Sequence, residues 1–130
     1  MTSWPDWFPS DCPPAQAREA VGRFYRLVDD VTPTEQDFWS ARELVAAGIK
    51  RRQHWSDDQE WKAVACSVYA DLKDAQSARD SFGALKAKVI AGGDIDGPGK
   101  VLDTPSQGNS HHSWWRNRGD QAWMTFEVDQ

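Results

Sequence analysis

The alternation of apolar and polar residues predicts two strands in the first half of the chain. In GRFYRLV (22–28) the side chains alternate between two faces, and the charged Arg26 shares one face with Phe24 and Val28. An arginine at such a position indicates either a solvent-exposed face or a guanidinium held for an anion. Both faces of the segment KAVACSVYA (62–70) are nearly apolar, which favours a central strand.

Apolar residues at helical spacing predict two helices. The segment TPTEQDFWSARELVAAG (32–48) has Thr32 as its expected N-cap, and Glu35 completes a capping box. The segment DLKDAQSARDSFG (71–83) has Asp71 as its expected N-cap. Both helices therefore have sequence signals for where they begin.

The second half of the chain predicts further strands, separated by a glycine-rich segment and polar loops. These strands comprise residues 87–92, 100–104, 111–115 and 122–128. Earlier in the chain, residues 49–61 are predicted to form a solvated loop. Helices early and consecutive strands late predict an α+β fold in a single domain. We expect a curved, mostly antiparallel sheet of about six strands with two helices packed against it.

Length and charge limit the classes of function. The chain has 130 residues, which fits one domain, and we expect that domain over 15–130 after a proline- and tryptophan-rich lead-in over 1–14. The net charge of −5 makes nucleic acid an unfavoured partner and is compatible with docking on a basic protein surface. Eight tryptophans are the compositional exception, and tryptophan anchors interfaces as well as filling cores.

The cysteines and the N-terminus predict the compartment. Cys12 lies in the lead-in and Cys66 in the apolar run VACSV, so we expect no disulfide framework and a reducing cytoplasm. The first residues lack the basic and apolar regions of a signal peptide. No apolar run reaches the roughly 18 residues of a membrane span. A cytoplasmic protein without a membrane partner is therefore expected, and its oligomeric state stays open.

The segment HHSWW (111–115) concentrates bulky side chains. Strand alternation separates them onto two faces, one with His111, Ser113 and Trp115 and the other with His112 and Trp114. The two histidines point apart, and no CxxC, HExxH or HxxxH spacing is present, so we expect no metal site. We expect one tryptophan in the core with its indole N–H on a carbonyl, and the other beside a histidine at the rim of a pocket.

Aromatic and basic residues near both ends of the chain are the candidates for a binding surface. They are Trp4, Trp7, His111, His112, Trp114, Trp115 and Arg116. A protein partner that docks on them requires an exposed aromatic patch ringed by acidic residues. The alternative for the lead-in aromatics is packing onto the core of their own domain.

Dispersed polar residues offer a catalytic alternative. FYRLV contains Arg26, CSVYADLKDA contains Ser67 and Tyr69, and TFEV contains Glu127. This set resembles the Arg–Ser–Glu arrangement of ADP-ribosyltransferase-like folds. The resemblance implies an arginine that holds the phosphate of nicotinamide adenine dinucleotide (NAD), a serine at the ribose site, and a glutamate that stabilises an oxocarbenium-like transition state. The chain departs from the family pattern, because it lacks the serine-threonine-serine run and has Thr125 where a second glutamate is expected. The enzyme hypothesis requires Arg26, Ser67 and Glu127 to lie in one cleft.

A second resemblance covers residues 20–128. The blocks FYRLV, PTEQDF, SVYADLKDA and HHSWW are similar to blocks in a group of short, uncharacterised bacterial proteins that end in a His-His-Thr/Ser-Trp-Trp element. The resemblance implies a free-standing bacterial domain and no particular activity.

Three hypotheses of function follow. The first is a protein-binding protein without catalysis or cofactor, of the inhibitor, immunity or antitoxin kind. The second is an ADP-ribosyltransferase-like enzyme or an NAD-binding domain. The third is a nucleic-acid-binding module that uses the basic residues of 50–52 and 116–118, with Trp114 or Trp115 stacking on bases.

Overall fold

Helices and strands share one mixed fold, as the sequence predicts. The computed structural model describes residues 4–5, 8–50, 54–105, 108–116 and 120–128. The strands are β1 (Arg18–Val28), β2 (Cys66–Tyr69), β3 (Val89–Asp103), β4 (His111–Trp115) and β5 (Glu127–Val128). The α-helices are α1 (Ala41–Ala46), α2 (Asp57–Ala63) and α3 (Leu72–Ser81). Short 3-10 helices cover Glu35–Phe38, Gly83–Leu85 and Ala122–Thr125.

The sheet closes into a small barrel. β1 pairs with β2, β2 with β4, β4 with β3, and β3 returns to β1, with every pair antiparallel. β5 adds a short ladder to β3. The antiparallel pairing is as predicted, but the sheet closes into a barrel where a curved sheet was expected. The difference arises because the pairing of β1 with β3 closes the ring, and strand patterns do not reveal which distant strands pair.

A bend in β3 lets one strand serve two parts of the barrel. β1 pairs with β3 from Val89 to Asp96 and again at Lys100 and Val101, and the second half of β3, from Lys100 onward, also pairs with β4. Gly97 and Gly99 lie in the bend with φ of 64° and 107°, a region that favours glycine. The predicted loop over 92–99 is therefore mostly strand. Counting β3 as two halves gives the six strand segments that the sequence predicts.

The predicted first helix is interrupted. A 3-10 helix is followed by α1, whose N-cap is Ser40. The Glu43 N–H donates to the Ser40 hydroxyl at 3.2 Å, and the Ser40 N–H donates to the Glu43 carboxylate at 3.0 Å. The expected capping box of Thr32 with Glu35 is wrong, because the 3-10 helix has Thr34 as its N-cap, with Asp37 as the partner in its capping box.

The remaining boundaries also differ in part from the predictions. α2 occupies the end of the predicted loop and the start of the predicted central strand, which leaves only Cys66–Tyr69 as β2. α3 is confirmed with its N-cap, since the Asp71 carboxylate accepts the Lys73 N–H at 2.9 Å. The predicted last strand is mostly a 3-10 helix, and only Glu127–Val128 is extended. The described part of the chain contains no helix with the length and apolar character that a membrane span requires.

Two apolar clusters lie on opposite faces of the sheet. The inner cluster fills the barrel and comprises Ala20, Phe24, Val28, Phe38, Cys66, Val68, Ala91, Ile95, Val101, Trp114 and Phe126. The outer cluster consists of Val64, Ala65 and Trp115, with Trp4, Phe8, Cys12, Ala17, Trp61 and Leu102 packed against it. The described aromatics of the lead-in therefore pack onto their own domain.

Candidate functional site

The register of β2 and β4 sets which side chains face the barrel interior. The inner pairs are Cys66 with Trp114 and Val68 with His112, and the outer pairs are Ser67 with Ser113 and Tyr69 with His111. Directly opposed residues in an antiparallel ladder share a face. The alternation predicted for HHSWW is present, and the two histidines do point apart.

Both tryptophans of β4 are buried. Trp114 and Trp115 are each 0% exposed. The indole N–H of Trp115 donates to the Trp61 carbonyl at 2.9 Å, as predicted for one core tryptophan. Trp114 packs against Phe38 and Phe126 inside the barrel, and its indole N–H has no partner among the described residues. The prediction that one tryptophan borders a pocket is wrong, because each face of this end of β4 is covered by its own cluster.

Two further binding candidates are enclosed. His112 is buried, and its Nδ1 lies 2.8 Å from the Ser110 carbonyl oxygen. The side chain of Arg116 is 3% exposed and lies between Asp120 at 3.5 Å and Glu35 at 3.7 Å. Their assignment to an open binding surface is corrected accordingly. Base stacking on Trp114 or Trp115 is wrong as well, since neither ring is accessible.

The lead-in does not provide an exposed aromatic patch within the described residues. Trp4 is half-buried and stacks on Phe8 with ring centroids 5.5 Å apart. Trp7 lies outside the described residues, and so do Arg51, Arg52 and Arg118 of the basic segments. None of the seven described tryptophans is an exposed residue.

His111 borders a cleft at the other end of β4. The cleft has a volume of about 350 Å³, and Arg26, Ser67 and Tyr69 line it together with His111. The cleft thus brings together three of the four candidate catalytic residues and one binding candidate. Other charged lining residues are Asp29, Asp37, Lys50 and Lys88, and the apolar ones are Leu27, Leu44, Ile49 and Leu85. Apart from Lys50, one of the basic residues of 50–52, the sequence did not single these residues out, because their local pattern does not show that they meet at one cleft.

Backbone carbonyls hold Arg26 in the wall of the cleft. Its Nε donates to the Asp37 carbonyl at 2.8 Å, and its Nη1 donates to the Ser67 carbonyl at 2.7 Å. The guanidinium also lies 6.0 Å from the ring centroid of Phe38. No carboxylate of the described residues forms an ion pair with it. The positive charge is therefore fixed in position and is not neutralised by a neighbouring acid.

Glu127 does not line the cleft. It pairs with Gly92, which pairs in turn with Tyr25, whereas Arg26 pairs with Ala91. Since successive residues of a strand point to opposite faces, Glu127 and Arg26 are on opposite faces. The convergence of Arg26 and Glu127 that an ADP-ribosyltransferase arrangement needs is therefore not formed.

The two carboxylates in the cleft are engaged with neighbouring groups. The Asp37 carboxylate accepts the N–H of Thr34 at 2.9 Å and that of Asp29 at 3.3 Å. Asp29 forms an ion pair with Lys88. Lys50 is exposed and, within the part of the chain that the structure describes, has no ion pair. Lys50 and Arg26 are thus the cations that the cleft can offer to a ligand.

His111 and Tyr69 are both neutral near pH 7. Burial lowers the pKa of His111 and raises the pKa of Tyr69. Their rings meet edge to face with centroids 5.3 Å apart. Nδ1 of His111 lies 2.9 Å from the carbonyl oxygen of Thr104, which holds the imidazole in place.

The metal-ligating residue types do not cluster in the described residues. No group of three or more histidine, cysteine, aspartate or glutamate side chains there is placed to hold a metal ion. Cys12 and Cys66 are both free thiols. Burial raises the pKa of both, that of Cys12 to about 11, which keeps the thiols protonated and weakly nucleophilic.

Comparison with known proteins finds no relative. No family model, no curated protein and no solved structure matches this chain. The two resemblances noted in the sequence therefore stay hypotheses.

Proposed function

We propose that the protein binds a small organic anion in the cleft beside His111. The observation that carries the proposal is the convergence of two available cations, polar groups and an apolar wall in one concavity. Arg26 and Lys50 supply positive charge for a phosphate or carboxylate. Leu44 and Ile49 form part of the apolar wall, which favours a ligand with a flat ring.

The size of the cleft limits the ligand. Its volume of about 350 Å³ lies near the lower end of the roughly 300–1,000 Å³ of small-molecule pockets. A ligand of mononucleotide size or smaller is favoured over a whole dinucleotide. NAD, which was expected only under the ADP-ribosyltransferase-like alternative, is larger than the ligand that this cleft favours. We therefore propose at most a fragment of that molecule as the ligand.

Binding is favoured over glycosyl transfer. The carboxylate that would stabilise an oxocarbenium-like transition state is Glu127, which is not among the residues that line the cleft. The carboxylates in the cleft, Asp29 and Asp37, are engaged by a lysine and by backbone N–H groups. Ser67 and Tyr69 then serve as hydrogen-bonding groups for a ligand.

Calorimetry with dissected ligands tests the proposal. We expect nicotinamide mononucleotide to bind, and both ribose 5-phosphate, without the ring, and nicotinamide riboside, without the phosphate, to bind more weakly. Lys50→Ala should weaken the mononucleotide about 2- to 5-fold, as for loss of an exposed charge pair. Lys73→Ala is the matched control, an exposed lysine on α3 outside the cleft. Absence of heat with all three ligands at millimolar concentration would contradict the proposal.

A protein-binding role, the leading hypothesis from the sequence, is the second candidate. The observation that favours it is Phe82 at the end of α3, whose surface is 60% exposed. Affinity capture from a bacterial lysate should retain a partner with the wild type and lose it with Phe82→Ser. A partner retained equally by both proteins would show that Phe82 is not the anchor.

A further inference from the structure

The orientation of the His111 ring determines which hydrogen bond the cleft can offer. Nδ1 lies 2.9 Å from the Thr104 carbonyl oxygen, which can only accept a hydrogen bond. A bare lone pair on Nδ1 would face that carbonyl oxygen, so the contact favours the tautomer with the proton on Nδ1, and the Thr104 hydroxyl 3.0 Å away can accept the same N–H. A neutral imidazole has one N–H, so Nε2 has a lone pair.

Thr104 is itself held in place, which makes this tautomer a stable property of the site. Its hydroxyl oxygen lies 3.0 Å from Nδ1 of His111 and 2.9 Å from the Ser113 hydroxyl. Its backbone N–H donates to the His111 carbonyl at 3.0 Å. None of the hydrogen bonds among the described residues uses Nε2 of His111.

The surroundings of His111 oppose its protonation. Burial lowers the pKa of His111 most, the hydrogen bond to Thr104 opposes this, and the charges of His112 on β4, Lys62 in α2 and Arg26 on β1 lower the pKa further. On β2 the facing titratable group is Tyr69, whose phenol stays neutral near pH 7. Nε2 of His111, which lines the cleft, is therefore an acceptor at neutral pH, in a cleft whose carboxylates, Asp29 and Asp37, are already engaged.

We propose that Nε2 of His111 is a specificity-determining acceptor, which selects ligands with an N–H or O–H donor on the part that faces β4. The inference rests on the proposed function of the cleft and adds a requirement to it. The preferred ligand class is an organic anion whose ring carries an amide, an amine or a hydroxyl group. A ligand with a carboxylate at that point would meet the lone pair of Nε2 and bind less well.

A matched pair of ligands tests the inference by calorimetry. Nicotinamide mononucleotide carries a carboxamide with N–H donors, and nicotinic acid mononucleotide carries a carboxylate at the same ring position. We expect the wild type to prefer the first by about 3- to 10-fold, the worth of one hydrogen bond. Equal affinities would overturn the inference and leave the proposed function in place. If neither ligand binds, the proposed function fails and the inference fails with it.

Two variants of His111 separate the acceptor from the anchoring bond. His111→Asn can still donate to the Thr104 carbonyl but offers no acceptor at the position of Nε2, so the preference should disappear. His111→Gln can place an amide oxygen near that position, so it should keep part of the preference. A preference that persists in His111→Asn would overturn the inference.

Nuclear magnetic resonance gives a readout that does not depend on folded variants. Long-range ¹H–¹⁵N spectra of the wild type should show His111 protonated at Nδ1, and nicotinamide mononucleotide should shift the Nε2 resonance. A free protein with the proton on Nε2, or an Nε2 resonance unmoved by bound ligand, would overturn the inference even where His111→Asn does not fold.

Discussion

The two ends of β4 differ in what covers them. At the tryptophan end, Trp114 fills the barrel, while Trp115 is covered on the outer face by Trp61 and the lead-in. At the histidine end, the inner His112 is buried against Phe24, but the outer face opens into the cleft. One strand therefore belongs to the core at one end and to a candidate site at the other.

The comparison teaches that the outward-facing residues of a strand take their role from the elements above them. Trp115 and His111 lie on the same face of β4, four residues apart. α2 and the lead-in cover the first, whereas the second borders a space between α1, the end of β1 and the start of β3. Strand alternation predicts the shared face, and only the tertiary cover separates core from site.

Removal of the Trp115 side chain, at the tryptophan end, should have the largest effect on stability. Trp115→Ala removes a fully buried ring from the outer cluster and leaves the Trp61 carbonyl without its donor. We expect the free energy of unfolding to fall by about 3–5 kcal/mol. His111→Ala, at the half-buried end, should cost about 1–2 kcal/mol. Urea unfolding of the two variants measures the difference, and equal losses would contradict the contrast between the ends.

A glycine opposite the tryptophan end gives the next largest effect. A Cβ on Gly99 would lie 2.6 Å from the backbone oxygen of Trp115, and the φ of 107° already disfavours a side chain. Gly99→Ala should cost about 2–4 kcal/mol. Gly97→Ala is the control, because its Cβ meets no atom within 4 Å and only its positive φ opposes it, at about 1 kcal/mol. Similar thermal melting temperatures for the two variants would show that β3 and β4 are not packed closely here.

The histidine end should make stability depend on pH. Because the folded pKa of His111 lies below its ordinary value of 6.5, the unfolded chain binds the proton more tightly. The stabilisation is present above pH 6.5 and is lost as the pH falls below it. Urea unfolding at about pH 7.5 and about pH 5.5 should show a decline that is smaller in His111→Asn, by about 1 kcal/mol or less. A wild type and a variant with the same decline would contradict a buried, neutral His111.

Ligand binding should give the smallest of the expected effects, and it should be confined to the histidine end. Nicotinamide mononucleotide should raise the melting temperature of the wild type by a few degrees at most, and Lys50→Ala should reduce that rise. In nuclear magnetic resonance spectra of the backbone amides, the same ligand should perturb the resonances of the histidine end. The resonances of the tryptophan end should be unchanged. Equal perturbation of Trp61 and His111 would contradict a ligand confined to the cleft.

Local chemistry was largely predictable from the sequence. The cap at Asp71, the alternation along β4 and the unusual position of Arg26 all follow from neighbouring residues. The sequence did not predict closure of the barrel, because the pairing of β1 with β3 is a contact between distant segments. Glu127 shows the same limit, since its pairing with the distant Gly92 of β3 decides which face it takes.

The candidate site was predictable only in part, for a related reason. Arg26, Ser67, Tyr69 and His111 stand out as polar residues within strands, and the structure places all four at one cleft. Trp114 and Trp115 stand out as strongly but belong to the core. The barrel interior encloses Trp114, and α2 and the lead-in cover Trp115. Lys50 was singled out only as part of the basic run 50–52, since an exposed lysine in a polar segment has the same pattern with or without a cleft nearby.

The pairing of β1 with β3 has a consequence for how the protein folds. Val28 is opposite Val89, and all three α-helices and β2 lie between them in the chain. The 60 residues from 29 to 88 must therefore be synthesised before the first of the pairs between β1 and β3 can form. High contact order of this kind slows folding. A nascent chain that ends before β3 has no ring to close, so its exposed strands are suitable clients for a chaperone.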